Sequence, residues 1–234
     1  MMPEEFRRVA ALSEIPPGRM LALRVDREDR TPAPPETAAE LVERARAELA
    51  RADAVLLSDY SKGVLTEWLV AALLDMAAAA KKPVFANPKP ASIRYYRGIS
   101  LVSLNQSEAE AVTGVSLAEL DRMEEAGDLL MRLCAAEAAV ITLGGRGLAL
   151  FEAGRTPRHL PVLPLEVYDP CGCGDSAVAA ATLARAAGAD WEEAATLANL
   201  AGNAKVRKLG VVPVSRKEIE NVWAVSQALR NGKE

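Results

Sequence analysis

The residues Asp169-Pro-Cys-Gly-Cys-Gly-Asp175-Ser176 stand immediately ahead of an alanine-rich stretch with helical spacing, Ala177–Ala187. Glycines at 172 and 174 let backbone N–H groups converge at the start of that helix, where unpaired donors and the helix dipole favour negative charge. Such an element suits a phosphoryl group or an oxyanion. Asp175 stands at its mouth, where a carboxylate can accept a proton from an alcohol. The same residues also read as an ordinary helix start, an Asp or Ser N-cap after a glycine turn.

Positioning these groups requires a scaffold, and the chain reads as alternating helices and buried strands. Apolar residues recur at helical spacing from Glu36 to about Arg51, and Asp53–Asp59 then gives a short, nearly continuous apolar run of the kind a buried parallel strand shows. Thr66 opens a second helix that runs to Lys82, followed by a strand at Pro83–Ala86. A third strand at Ile99–Leu104 leads into a short helix across Glu108–Val112 and a longer one at Ser116–Ala136, with Ser116 and Glu119 spaced as a capping box. Ala138–Thr142 is another buried strand, and the Gly144–Gly147 turn returns Leu148–Phe151 beside it. Helices at Asp175–Ala187, Trp191–Lys208 and Ser215–Arg230 complete the pattern. The expectation is an α/β fold in three layers, a mostly parallel sheet with helices on both faces, over residues 36–234. Residues 1–35, polar and ending in Thr-Pro-Ala-Pro-Pro, read as an arm or linker.

In open parallel sheets ligands bind beyond the carboxyl ends of the strands. That rule picks out Asp59, Asn87 with Lys89, Asn105 with Glu108, Thr142 with Gly144, and the loop after Val167-Tyr168. Each alone reads equally as a cap or turn.

Composition narrows the function classes. The 234 residues are 50% hydrophobic and 26% charged, enough apolar material to fill a core, though with only 4% aromatics the core must be Ala, Leu and Val. Lys and Arg number 28 against 32 Asp and Glu, a net charge of −4, which lacks the positive excess of a nucleic-acid binder. No apolar run approaches the ~18 residues of a membrane span and Met1–Arg8 does not have the layout of a secretory leader, so the expected location is the cytoplasm. One histidine, His159, and three cysteines make a metal centre hard to build, and Cys171-x-Cys173 reads as incidental thiols suited to a reducing compartment.

Read together, the motifs resemble the ribokinase-like (PfkB) carbohydrate kinases. Asp169, Gly172, Gly174 and Asp175 match that family's aspartate-any-any-glycine-alanine-glycine-aspartate signature; Asn105-Gln-Ser-Glu108 matches its Asn-x-x-Glu motif; Thr142-Leu-Gly144 with Gly147 resembles its nucleotide-binding turn; and Asn199 to Gly210 is similar to its adenine-side helix. Within the family, Leu57-Ser-Asp59-Tyr-Ser-Lys62-Gly63, Asn87-Pro-Lys89, Tyr96-Arg97-Gly98 and Leu23-Arg24-Val-Asp26-Arg-Glu28 are most similar to the heptose-7-phosphate kinases of ADP-heptose synthesis.

The resemblance implies phosphoryl transfer from ATP to a sugar or sugar-phosphate hydroxyl. Asp175 would be the base; the amides of Gly172, Cys173, Gly174 and Asp175 would face the developing charge; and Asn105 and Glu108 would organise Mg2+. Lys89, Thr142, Gly144, Gly147, Asn199 and Gly210 would contact nucleotide, and Asp59, Lys62 and Asp169 would serve the sugar side. It also implies departures. The family's opening strands, lid sheet and Gly-Gly-x-x-Asn motif have no counterpart before Met20, Asn87 stands where heptose kinases have Asp, and Cys171 and Cys173 replace Thr and Ala. A chain without that layer is expected to pair as a homodimer or with a complementing chain, and a non-catalytic nucleotide-binding remnant is the alternative reading.

Overall fold

The computed structural model describes residues 30–163 and 168–231. The expected strand at Leu23–Glu28 and most of the arm lie outside these residues. Six strands form one sheet in the order β1 to β6: β1 (Val55–Ser58), β2 (Val84–Asn87), β3 (Leu101–Asn105), β4 (Ala138–Thr142), β5 (Leu148–Glu152) and β6 (Arg158–Leu160). β1 through β4 pair in parallel, and β5 and β6 add antiparallel. The tight return at Gly144–Gly147 imposes that switch, because a hairpin can only join antiparallel neighbours. Gly147 is obligatory there: its φ is +104°, and a Cβ would lie 2.0 Å from the Leu160 carbonyl oxygen.

Side chains alternate across the sheet with the two-residue period of a strand. Leu101, Ala138, Val140, Leu148 and Leu150 face one apolar cluster with Ala177, Ala181, Ala195 and Ala198 of α5 (Cys173–Ala186) and α6 (Trp191–Lys205). Val102, Leu104, Ala139, Ile141, Ala149 and Phe151 face the other, built with α2 (Glu67–Ala79), α3 (Gln106–Thr113) and α4 (Met123–Cys134). The alanine-rich helices let α5 and α6 sit close to the sheet, and the result is the three-layer α/β arrangement. α1 (Pro35–Leu49) starts with Pro at N1 and packs Ala38 and Val42 on Leu69 of α2, while α7 (Arg216–Asn231) rests Val222 on Leu200 and Ala204 of α6.

The helix starts follow local chemistry. Thr66 caps α2 by accepting from the Leu69 N–H (3.2 Å). The capping box expected at Ser116/Glu119 does not form; a short 3-10 turn at Leu120–Arg122 precedes α4, which begins only at Met123. The reason is competition for the backbone. Leu117 N–H donates to Glu110 Oε1 (2.7 Å), and the Arg146 guanidinium takes the carbonyls of Leu117 (2.6 Å) and Ala118 (2.9 Å), which holds that segment outside a helix.

α4 meets β5 at a glycine. A Cβ on Gly127 would lie 2.0 Å from the ring of Phe151, itself 1% exposed. Gly127→Val should therefore lower stability by about 2–3 kcal/mol, the upper part of the range for an overpacked core, read as a reduced urea midpoint with an unchanged slope.

Candidate active site

The carboxyl ends of the parallel strands form one rim. Ser58 and Asn87 are register partners at the ends of β1 and β2, and Asn105 and Thr142 are partners at the ends of β3 and β4. Above this rim opens a cleft of about 1000 Å³, closed on the other side by the start of α5 and one face of α6. Asn87, Lys89, Asn105, Glu108, Thr142, Gly144, Gly147, Gly172, Cys173, Gly174, Asp175 and Asn199 all line it. Asp59, Lys62, Asp169 and Gly210 do not.

The start of α5 is shaped by Gly172, whose φ of +77° puts the N-cap in the left-handed region. Cys173 N–H turns back to the Pro170 carbonyl (3.2 Å) and Ser176 N–H begins the helical ladder on the Gly172 carbonyl (3.0 Å). Between them the N–H groups of Gly174 and Asp175 belong to the first turn, where no intrahelical acceptor exists. Asp175 is thus the third residue of the helix and not its cap, which corrects the simpler reading of this aspartate as an N-cap. Its Oδ1 lies 3.5 Å from the Ser58 hydroxyl, a long contact that leaves the carboxylate able to engage a ligand. Gly174 also faces Asn87, whose Nδ2 would lie 4.0 Å from a Cβ there.

The loop that carries these groups is tied to the end of α6. Tyr168 and Asp169 N–H both donate to the Val206 carbonyl (2.9 and 3.0 Å). Asp169 Oδ1 accepts from Cys171 N–H (2.9 Å) and its Oδ2 from Gly210 N–H (2.8 Å), contacts that hold its carboxyl below the usual carboxylate range. Asp169 and Gly210 are therefore a clasp behind the glycine loop. Hydrogen bonding to Asp169 raises the Cys171 thiol and burial raises that of Cys173, so neither is primed as a nucleophile.

Across the cleft, Asn105 and Glu108 are bound first to each other. Asn105 Oδ1 accepts from Glu108 N–H (2.9 Å), and Glu108 Oε2 accepts from Asn105 N–H (3.0 Å), a capping box that starts α3. Glu108 Oε1 also takes Lys89 Nζ at 2.6 Å, so one carboxylate serves the helix cap and the lysine together. Among the described residues no group of three or more His, Cys, Asp or Glu is placed to hold a metal.

Asp59 has a different setting. It is 5% exposed and accepts from Ser92 Oγ (2.5 Å), Tyr96 OH (3.0 Å) and Ser61 N–H (2.7 Å). Burial and the Asp59 charge push the Tyr96 phenol far above its ordinary range, so it stays a donor. This aspartate organises the loop after β1 from within. Sequence reasoning also passed over Arg146, which braces the glycine turn against Gln106 (2.8 Å), and Lys205, fully buried behind the Asp169 clasp. The signal for Lys205 was its place on the stripe Ala194, Ala198, Ala201, one turn further along the buried face of α6.

Tyr96→Phe leaves the buried Asp59 carboxylate with one donor fewer. The variant should lose about 1.5–3 kcal/mol, the value of a hydrogen bond to a charged group, measured by chemical denaturation.

The family model for "pfkB family carbohydrate kinase" matches residues 21–218. The chain is 43% identical over 198 residues to the bifunctional protein HldE of Caulobacter vibrioides, covering 84% of this chain and 40% of that protein. It is 33% identical over 222 residues to the bifunctional protein HldE of Pelobacter propionicus, covering 95% and 46%. The chain thus spans less than half the length of these relatives. Its fold matches the ribokinase of Arabidopsis thaliana, solved with ribose and ATP, at a TM-score of 0.66 (23% identity, 78% of this chain and 58% of that one). It also matches the phosphofructokinase-2 of Escherichia coli in complex with potassium at 0.67 (20% identity, 80% and 62%). Motif residues from Asn87 to Asn199, gathered by the fold around one cleft, together with a family match over most of the sequence, mean that this chain belongs to the pfkB family of carbohydrate kinases.

Proposed function

We propose that the chain carries the nucleotide-binding half of a sugar-phosphate kinase, transferring the terminal phosphoryl group of ATP to a hydroxyl. The acceptor class we assign is a heptose 7-phosphate, on the similarity to HldE and the run from Leu57 to Gly63. The observation that carries the reading is that Gly174 and Asp175, in the first turn of α5 where N–H groups lack intrahelical acceptors, line the same cleft as Lys89, Glu108 and Asn105. A triphosphate lying across that cleft has donors at one end and an acidic residue at the other.

In the reaction the acceptor oxygen forms a bond to the terminal phosphorus as the bond to the departing diphosphate breaks, and the hydroxyl proton passes to Asp175. The Gly174 and Asp175 amides, preorganised by the Gly172 cap, stabilise the charge on the transferring group, with Gly172 and Cys173 shaping the loop. The residues suit Mg2+ held in its usual way on a kinase substrate, by phosphate oxygens, waters and one or two carboxylates. Glu108, with Asn105 beside it, is the carboxylate that would meet it, and the ion would neutralise phosphate charge. Thr142, Gly144, Gly147 and Asn199, which line the same cleft, would meet the nucleoside end. Lys62, Asp59 and Asp169 serve the acceptor side only indirectly in this reading, by shaping the loops around it. The chemistry suits the cytoplasm, and no helix among the described residues is long and apolar enough to cross a membrane.

A second feature favours a partner. Among the described residues β1 is the outermost strand on its side of the sheet, with Leu56 37% exposed, and the loop after it exposes Tyr60 and Val64. An open apolar edge is a template for further pairing. At micromolar concentration the chain should sediment as a homodimer or bind a complementing chain; a compact monomer with no such partner overturns this part.

Titration calorimetry should show Mg-ADP or Mg-ATP binding, and absence of heat at millimolar nucleotide would sink the reading. Where turnover is found, alone or with a complementing chain, Asp175→Asn should cut kcat by about 10²–10⁴, the worth of a general base, with nucleotide affinity nearly unchanged. Asn keeps the size of Asp, and no cap is lost because Gly172 holds that position.

A further inference from the structure

Lys205 is a fully buried lysine, 0% exposed, at the last turn of α6. A buried ammonium is costly unless acceptors surround it. Its Nζ donates to the Lys208 carbonyl (3.2 Å), and its Cε would lie 3.6 Å from a Cβ on Gly172. The side chain thus runs beneath the glycine loop, at the crossing where Tyr168 and Asp169 are bonded to Val206 and Gly210 to Asp169. The first turn of α5 above it holds N–H groups with no intrahelical acceptor.

We propose that Lys205 is a positioning residue whose buried ammonium fixes a positive charge beneath the glycine loop and so strengthens its hold on phosphate oxygens. The inference rests on the kinase reading and deepens it. Three observations support it together. Burial removes the water that would screen the charge, so its field acts on the loop in a low dielectric. Among the described residues its ammonium donates to one acceptor, the Lys208 carbonyl, a neutral group that leaves the positive charge uncancelled at that contact. The Asp169 carboxylate has both oxygens on backbone N–H groups of Cys171 and Gly210, so it answers the lysine through space rather than by a direct bridge. That the field reaches the loop is consistent with its effect on the neighbouring groups: it acts to lower Asp169, Cys171 and Cys173, against the burial that raises Cys173. Lys89, which lines the cleft, is already paired with Glu108, whereas Lys205 lies beneath the loop, placed to act on the α5 end.

The test uses Lys205→Met, which keeps the length and removes the charge, and Lys205→Gln as a second variant should the first not fold. Two readouts are taken on the full chain. The first is the pH profile of alkylation at Cys173, resolved by peptide mass spectrometry and independent of any kinase activity; besides Lys205 the groups acting on this thiol are Asp169 and Cys171. The second is Mg-ADP affinity by calorimetry. The proposal expects the Cys173 profile to move to higher pH and ADP to bind about tenfold more weakly, the loss of one charged contact. An unmoved profile overturns the proposal, and so does a moved profile with ADP affinity equal to that of the unsubstituted protein. An unsubstituted protein that binds no ADP overturns the kinase reading and the phosphate role with it, while the profile still decides whether the charge reaches the loop.

Discussion

The site depends on one join: the loop before α5 bonded edge to edge with the chain leaving α6. Tyr168 and Asp169 share the Val206 carbonyl, and Asp169 reaches across to Gly210. The join fixes the chain just before Gly172, whose left-handed cap starts α5 beside the cleft. The far side of the same chain is pinned in turn. Lys208 bonds the Pro213 carbonyl (2.7 Å) and pairs with Glu218 (2.8 Å), which caps α7 with Ser215 and is held down at about 2 by these contacts. The start of α5 is thus held in part by groups that do not line the cleft, Asp169, Lys208 and Gly210 among them.

Two aspartates show how environment divides identical chemistry. Asp59 and Asp175 both lie near the strand ends, yet Asp59 is buried with three donors and Asp175 has only a long contact to Ser58. A carboxylate whose oxygens are engaged by its own chain organises structure; one left facing a cleft can take a proton. The same division runs through Asn105 and Glu108, which cap a helix while lining the cavity. A residue type at a strand end marks where chemistry can lie, and its partners decide what it does.

The sheet frames these choices. Parallel pairing from β1 to β4 aligns every carboxyl end on one side, so loops distant in sequence meet over one rim. The antiparallel return at β5 and β6 lets Arg146 brace the glycine turn against α3. α5 and α6, lined with alanine, lie close enough to the sheet to bring Gly174 opposite Asn87.

By itself the sequence determined the alternation of helices and strands, the hairpin at Gly144–Gly147, the cap at Thr66 and the glycine-rich start of α5, because each is a local matter of periodicity, turn residues or capping. Its motifs also led to the family. What the sequence could not decide is anything that rests on competition between distant groups. Ser116 and Glu119 have capping-box spacing, but Glu110 and Arg146 take the backbone there and the helix starts later. Asp59 reads like a ligand residue until Ser92 and Tyr96, far along the chain, engage its oxygens. Lys205 reads as one more lysine near a helix end until packing removes its solvent and sets it under the glycine loop. Local propensity is written residue by residue, whereas burial and the satisfaction of polar groups are properties of the assembled fold.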